Sequence, residues 1–65
     1  MSAQQLSPRQ RLILKLVVNG LTNAQIARTL ALSTSTIKAE LHDLIETWGC
    51  RNRTELAVKA SRNGI

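Results

Sequence analysis

The sequence predicts an all-α domain of four short helices, and three observations predict it. Helix-opening signatures recur along the chain: Ser7-Pro8-Arg9-Gln10, Thr22-Asn23-Ala24-Gln25, Ser33 and Asn52-Arg53-Thr54-Glu55. Between them apolar residues return at helical rather than strand spacing. The apolar content, 43% of 65 residues, is almost wholly Leu, Ile, Val and Ala, with Trp48 the one aromatic residue, which disfavours a small β-barrel.

The first helix is expected near 8–19. Ser7 and Gln10 make a capping box around a proline at the first helical position, where its missing N–H costs nothing. Leu12, Ile13, Leu16 and Val17 form its apolar stripe, and Gly20 ends it. The second helix, near 22–31, opens on Thr22 and Gln25 and turns Ile26, Ala27 and Leu30 inward. Ser33 caps the third, near 33–48. Its Ile37, Leu41, Leu44 and Trp48 lie within roughly 60° of one another on the helical wheel, and Gly49 closes it. The fourth, near 52–63, opens on a third expected box at Asn52 and Glu55. Leu56, Ala57 and Ala60 face inward, and the helix stops near Gly64.

At this size there is one domain, residues 6–65, behind an expected disordered leader or linker at 1–5. A chain so short buries only about 60% of the surface it exposes when unfolded, which leaves no room for a cleft between lobes. No paired carboxylates, nucleophile–base pair or phosphate loop is apparent, so catalysis and a cofactor are not expected. With a single His and a single Cys, neither is a metal ion. Cys50 cannot form an internal disulfide, and no membrane span or secretory signal is evident, so a cytoplasmic location is expected.

The net charge is +5, unevenly spread. Residues 1–39 carry five cations (Arg9, Arg11, Lys15, Arg28, Lys38) and no acid. Residues 40–46 carry Glu40, Asp43 and Glu46, while 50–65 set Arg51, Arg53, Lys59 and Arg62 against Glu55. A polyanionic partner suits this balance, and nucleic acid is the commonest.

The tight connection Ala31-Leu32 joins the second and third helices as a helix-turn-helix requires. Ala27 is small enough for the crossing, and Ile26, Leu30, Leu32 and Ile37 fix the pair. Opposite the buried line of the third helix lie Ser35, Ala39, His42 and Glu46, flanked by Lys38 and Asp43. Lys38 can reach a guanine edge or a phosphate, and Ala39 a thymine methyl. His42 can equally pair with Glu46 one turn later, and Glu40 with an arginine such as Arg28. Trp48 and Cys50 read as core residues.

From Leu6 to Ile65 the chain resembles the LuxR-type domain, also called FixJ/NarL or GerE-like. The resemblance rests on Leu-Ser-Pro-Arg at 6–9, Asn-Gly-Leu-Thr-Asn at 19–23, Ile-Ala-Arg at 26–28 and Leu-Ser at 32–33. It continues with Thr-Ile-Lys at 36–38 and Gly-Cys-Arg-Asn-Arg-Thr-Glu at 49–55. It implies a bacterial transcription regulator whose third helix reads double-stranded DNA through Lys38, Ala39 and His42. By the same resemblance Asn23, Ser33 and Thr36 lie near the phosphate backbone; Ser35, from its place on the exposed face, and the cations Arg51 and Arg53 complete the expected contacts. It also implies a homodimer through the fourth helix, for which Val58 and Ile65 are spare apolar positions; RNA polymerase is a further candidate partner.

The chain departs from the family's usual residues at Glu40, Asp43 and Glu46, where acids would repel phosphate, and at Ala31, where glycine is common. Those acids leave a protein-interaction module, such as an anti-activator, as one alternative. Promoter recognition like that of sigma-factor region 4, which shares the Leu-Ser-Pro-Arg opening, is another.

Overall fold

A computed structural model describes residues 6–65; the expected leader at 1–5 lies outside the described residues. The elements run α1 (Pro8–Val18), α2 (Asn23–Leu30), α3 (Thr34–Thr47) and α4 (Arg53–Arg62). The expected all-α architecture is the observed one.

Each helix begins where a side chain can satisfy an orphan backbone N–H. Ser7 Oγ accepts from the Gln10 N–H at 3.1 Å, and Gln10 Oε1 accepts in return from the Ser7 N–H at 3.0 Å. Thr22 and Gln25 repeat the exchange at 3.2 and 2.9 Å. Ser33 Oγ accepts from the Thr36 N–H at 3.1 Å. The fourth start differs from the expected reciprocal box. Asn52 Oδ1 accepts from the Glu55 N–H at 2.9 Å, but Glu55 Oε1 reaches past Asn52 to the Arg51 N–H at 3.0 Å. Asn52 is nearly fully extended (φ −161°, ψ 179°), unlike the other caps.

Each helix ends in the same way. An N–H two or three residues past the helix returns to a carbonyl five residues earlier: Leu21 to Leu16, Leu32 to Ala27, Cys50 to Ile45 and Ile65 to Ala60. This closure needs one left-handed residue at each end. Three of the four are glycines, but at the α2–α3 turn it is Ala31, with φ 57° and ψ 42°.

The core draws on every helix: Ile13, Leu14 and Val17 from α1, Ile26 and Ala27 from α2, Ile37, Leu41, Leu44 and Trp48 from α3 and its cap, and Leu56 and Ala60 from α4. The stripe expected on α1 is rotated. Leu14 is fully buried, whereas Leu12 is 50% exposed. The run Leu12-Ile13-Leu14 offers more than one apolar face, and the neighbours of α1 select which one turns in. Leu30 and Ala57 are half-buried at the edge of the core, as is Cys50. Ile65 also packs against the core, so it is not a spare apolar position. Trp48 is 4% exposed, and its indole Nε1 has no protein partner among the described residues.

α2 packs chiefly on α3, and α1 chiefly on α4. Polar ties also cross between elements. Arg9 of α1 pairs with Glu40 of α3, so the expected Arg28 partner is replaced. Lys59 Nζ of α4 donates to the Trp48 carbonyl at 2.8 Å, placing a cation at the negative end of α3. Arg53 at the start of α4 reaches the entry to α2. No helix among the described residues is long and apolar enough to cross a membrane.

Candidate nucleic-acid interface

α3 is buried on one side and exposed on the other. Ile37, Leu41, Leu44 and Trp48 bury one side, while Ser35, Lys38, Ala39, His42, Asp43 and Glu46 are all exposed. At about 100° per residue, Ser35, Lys38, Ala39, His42 and Glu46 fall within about 100° of one another. Asp43 stands at their edge. The polar face expected of α3 is therefore a continuous surface in the folded domain.

Its chemistry is mixed. Lys38 supplies a cation and Ala39 a methyl group. His42 Nε2 lies 3.0 Å from Glu46 Oε1, both side chains well exposed, so the two readings of His42 coexist: it is on the exposed face and within reach of Glu46. Of the three acids, Glu40 stands apart. Its side chain is only 16% exposed and is engaged by Arg9, while Asp43 and Glu46 face solvent. The exposed negative charge on α3 is thus smaller than the sequence suggests.

The α3 entry adds hydroxyls. Ser33 Oγ and Thr36 Oγ1 lie 2.8 Å apart, with Ser33 Oγ also taking the Thr36 N–H. Ser33 is exposed and Thr36 half-buried beside it. The α2–α3 turn holds this entry against α2 through the Leu32-to-Ala27 hydrogen bond of 2.8 Å, with Ala27 only 4% exposed at the crossing.

The remaining expected site residues separate. Arg51, in the α3–α4 loop, has a side chain 87% exposed, with Glu55 3.7 Å away. Arg53 is half-buried. Its guanidinium donates from Nη1 to Asn23 Oδ1 and from Nη2 to the Leu21 carbonyl. The structure therefore joins Asn23 and Arg53, two expected contacts 30 residues apart, to each other. No local sequence signal marks that pairing, because it exists only once α4 folds back beside the α1–α2 loop. Among the described residues, no group of three or more His, Cys, Asp or Glu side chains could hold a metal ion.

A family model described as bacterial regulatory proteins, luxR family, matches residues 4–60. The chain belongs to the luxR family of bacterial regulatory proteins. This luxR-family domain is 43% identical over 54 residues to the nitrate/nitrite response regulator protein NarL of Escherichia coli (strain K12), covering 83% of the chain and 25% of that protein. It is 41% identical over 56 residues to the two-component response regulator PprB of Pseudomonas aeruginosa, covering 86% of the chain and 20% of that protein. With the transcriptional regulatory protein YxjL of Bacillus subtilis (strain 168) the identity is 35% over 63 residues, or 97% of the chain and 29% of that protein. The chain thus spans a quarter or so of the length of these relatives.

Proposed function

We propose that this luxR-family domain is the DNA-binding part of a bacterial transcription regulator, with α3 in the major groove. The observation that carries the reading is the exposed face Ser35–Lys38–Ala39–His42, set on the first two-thirds of a helix whose other side is core. In this reading Lys38, Ala39 and His42 meet base edges, whereas Asn23, Ser33, Thr36 and Arg51 position the domain on phosphates and carry no sequence information themselves. Ser35, at the helix entry, reaches backbone or base according to register. A second copy docks through α4, where Val58 is 47% exposed.

A fluorescence anisotropy titration on random and selected duplexes at several salt concentrations tests this. Affinity falls as salt rises, because cation–phosphate contacts release counterions. Lys38→Ala lowers discrimination between the selected and random duplex by about 1–3 kcal/mol and leaves the helical circular dichroism intact. Exposed Asp43 and Glu46 on the same face favour a second reading, an interface for a basic protein partner. Absence of any binding at low salt, even to selected sites, would decide for that one.

A further inference from the structure

We infer that Arg53 is a positioning residue for DNA binding, acting through Asn23 rather than touching the phosphate itself; this rests on the DNA-binding reading above. The guanidinium spans two acceptors on the α1–α2 connection, the Leu21 carbonyl and Asn23 Oδ1. α2 has little direct packing against α4, so this fork ties the start of α2 to the α1–α4 half of the domain. A cation on the first residue of α4 opposes that helix's own dipole. Its presence there is explained by what it reaches, not by what it does for α4.

The fork also orients a donor. An Asn amide that accepts through Oδ1 turns its NH2 group the other way. With Oδ1 held by Arg53, the donor end of Asn23 is the end left for a phosphate oxygen, on the first residue of α2, where the backbone N–H groups also favour an anion. Arg53 therefore fixes both the place of the α2 entry and the sense of the amide. Lysine keeps the charge of Arg53 but has no planar fork to hold two acceptors at once.

The test compares the wild-type domain with Arg53→Lys, Arg53→Ala and Asn23→Asp on a selected duplex, below the melting temperature of each. Arg53→Lys and Arg53→Ala are expected to lose a similar roughly tenfold in affinity, as for hydrogen bonds lost at one oriented contact. The dependence of log affinity on log salt stays unchanged in Arg53→Lys. Asn23→Asp keeps the acceptor and loses the donor, so it folds at least as stably and binds DNA more weakly. In the wild-type domain the Arg53 guanidinium NMR signals are slow-exchanging without DNA and stay so on adding it, a readout that requires no variant to fold. Wild-type affinity in Arg53→Lys, wild-type affinity in Asn23→Asp, or guanidinium signals that become slow-exchanging only once DNA is bound overturn the inference. So does a salt slope in Arg53→Ala smaller by about one phosphate contact. Failure of the wild-type domain to bind any duplex instead removes the DNA-binding reading, leaving the Arg53–Asn23 fork as a structural tie only.

Discussion

The Leu32 N–H donates to the Ala27 carbonyl at 2.8 Å, and this hydrogen bond closes the α2–α3 turn over an alanine in the left-handed conformation. An L-residue there carries a steric cost of about 1–2 kcal/mol, which glycine avoids at the expense of more unfolded-state entropy. Ala31→Gly is therefore expected to stabilise the domain by about 0.5–1 kcal/mol, raising its melting temperature by roughly 4 °C. Thermal denaturation followed by circular dichroism checks this, and an unchanged or lower midpoint refutes the strain.

The Arg9–Glu40 pair joins α1 to α3, with the arginine side chain about half exposed. Partial exposure limits its worth to about 1 kcal/mol or less. A double-mutant cycle with Arg9→Ala and Glu40→Ala should return a coupling of that size, weakening in high salt. A coupling of zero at low salt places the two side chains apart in solution.

The acids of α3 should not act alike toward DNA. Asp43→Asn and Glu46→Gln each remove exposed negative charge from the proposed DNA-facing side of α3, so each is expected to raise affinity for random duplex at low salt by a few-fold. Glu40→Gln should change it less, because its charge is already compensated by Arg9. Anisotropy at two salt concentrations separates the three. Equal gains from all three would show that Arg9 does not screen Glu40.

In the proposed dimer, the contact through α4 would turn on Val58, which is 47% exposed among residues that are otherwise mostly polar on that side. Val58→Asp is expected to abolish any dimer seen in sedimentation, with or without DNA, while the melting temperature moves little. A wild-type domain that sediments only as a monomer under both conditions removes the dimer.

Much of the candidate site was legible because it is local. The exposed face of α3 follows from the period of one helix, and Ser33 and Thr36 from its cap. His42–Glu46 is likewise a one-turn pair. Arg51 remains exposed as its loop position suggests. The Arg53 fork was not legible, and an arginine in a basic segment reads naturally as a phosphate contact. The partner of Glu40 was misplaced for the same reason: Arg28 and Arg9 are both chemically suitable, and only the packing of α1 against α3 decides between them.

By itself the sequence determined the four helix starts, the three helix ends marked by glycine and the buried line of α3. Caps, left-handed turns and helical period act within about five residues, and the chain carries them before it folds. The tertiary structure alone decided that Leu14 rather than Leu12 enters the core, that Arg9 neutralises Glu40, and that Arg53 holds Asn23. Each of these depends on which helix lies alongside, and for side chains 30 or more residues apart that neighbour exists only after the core has assembled.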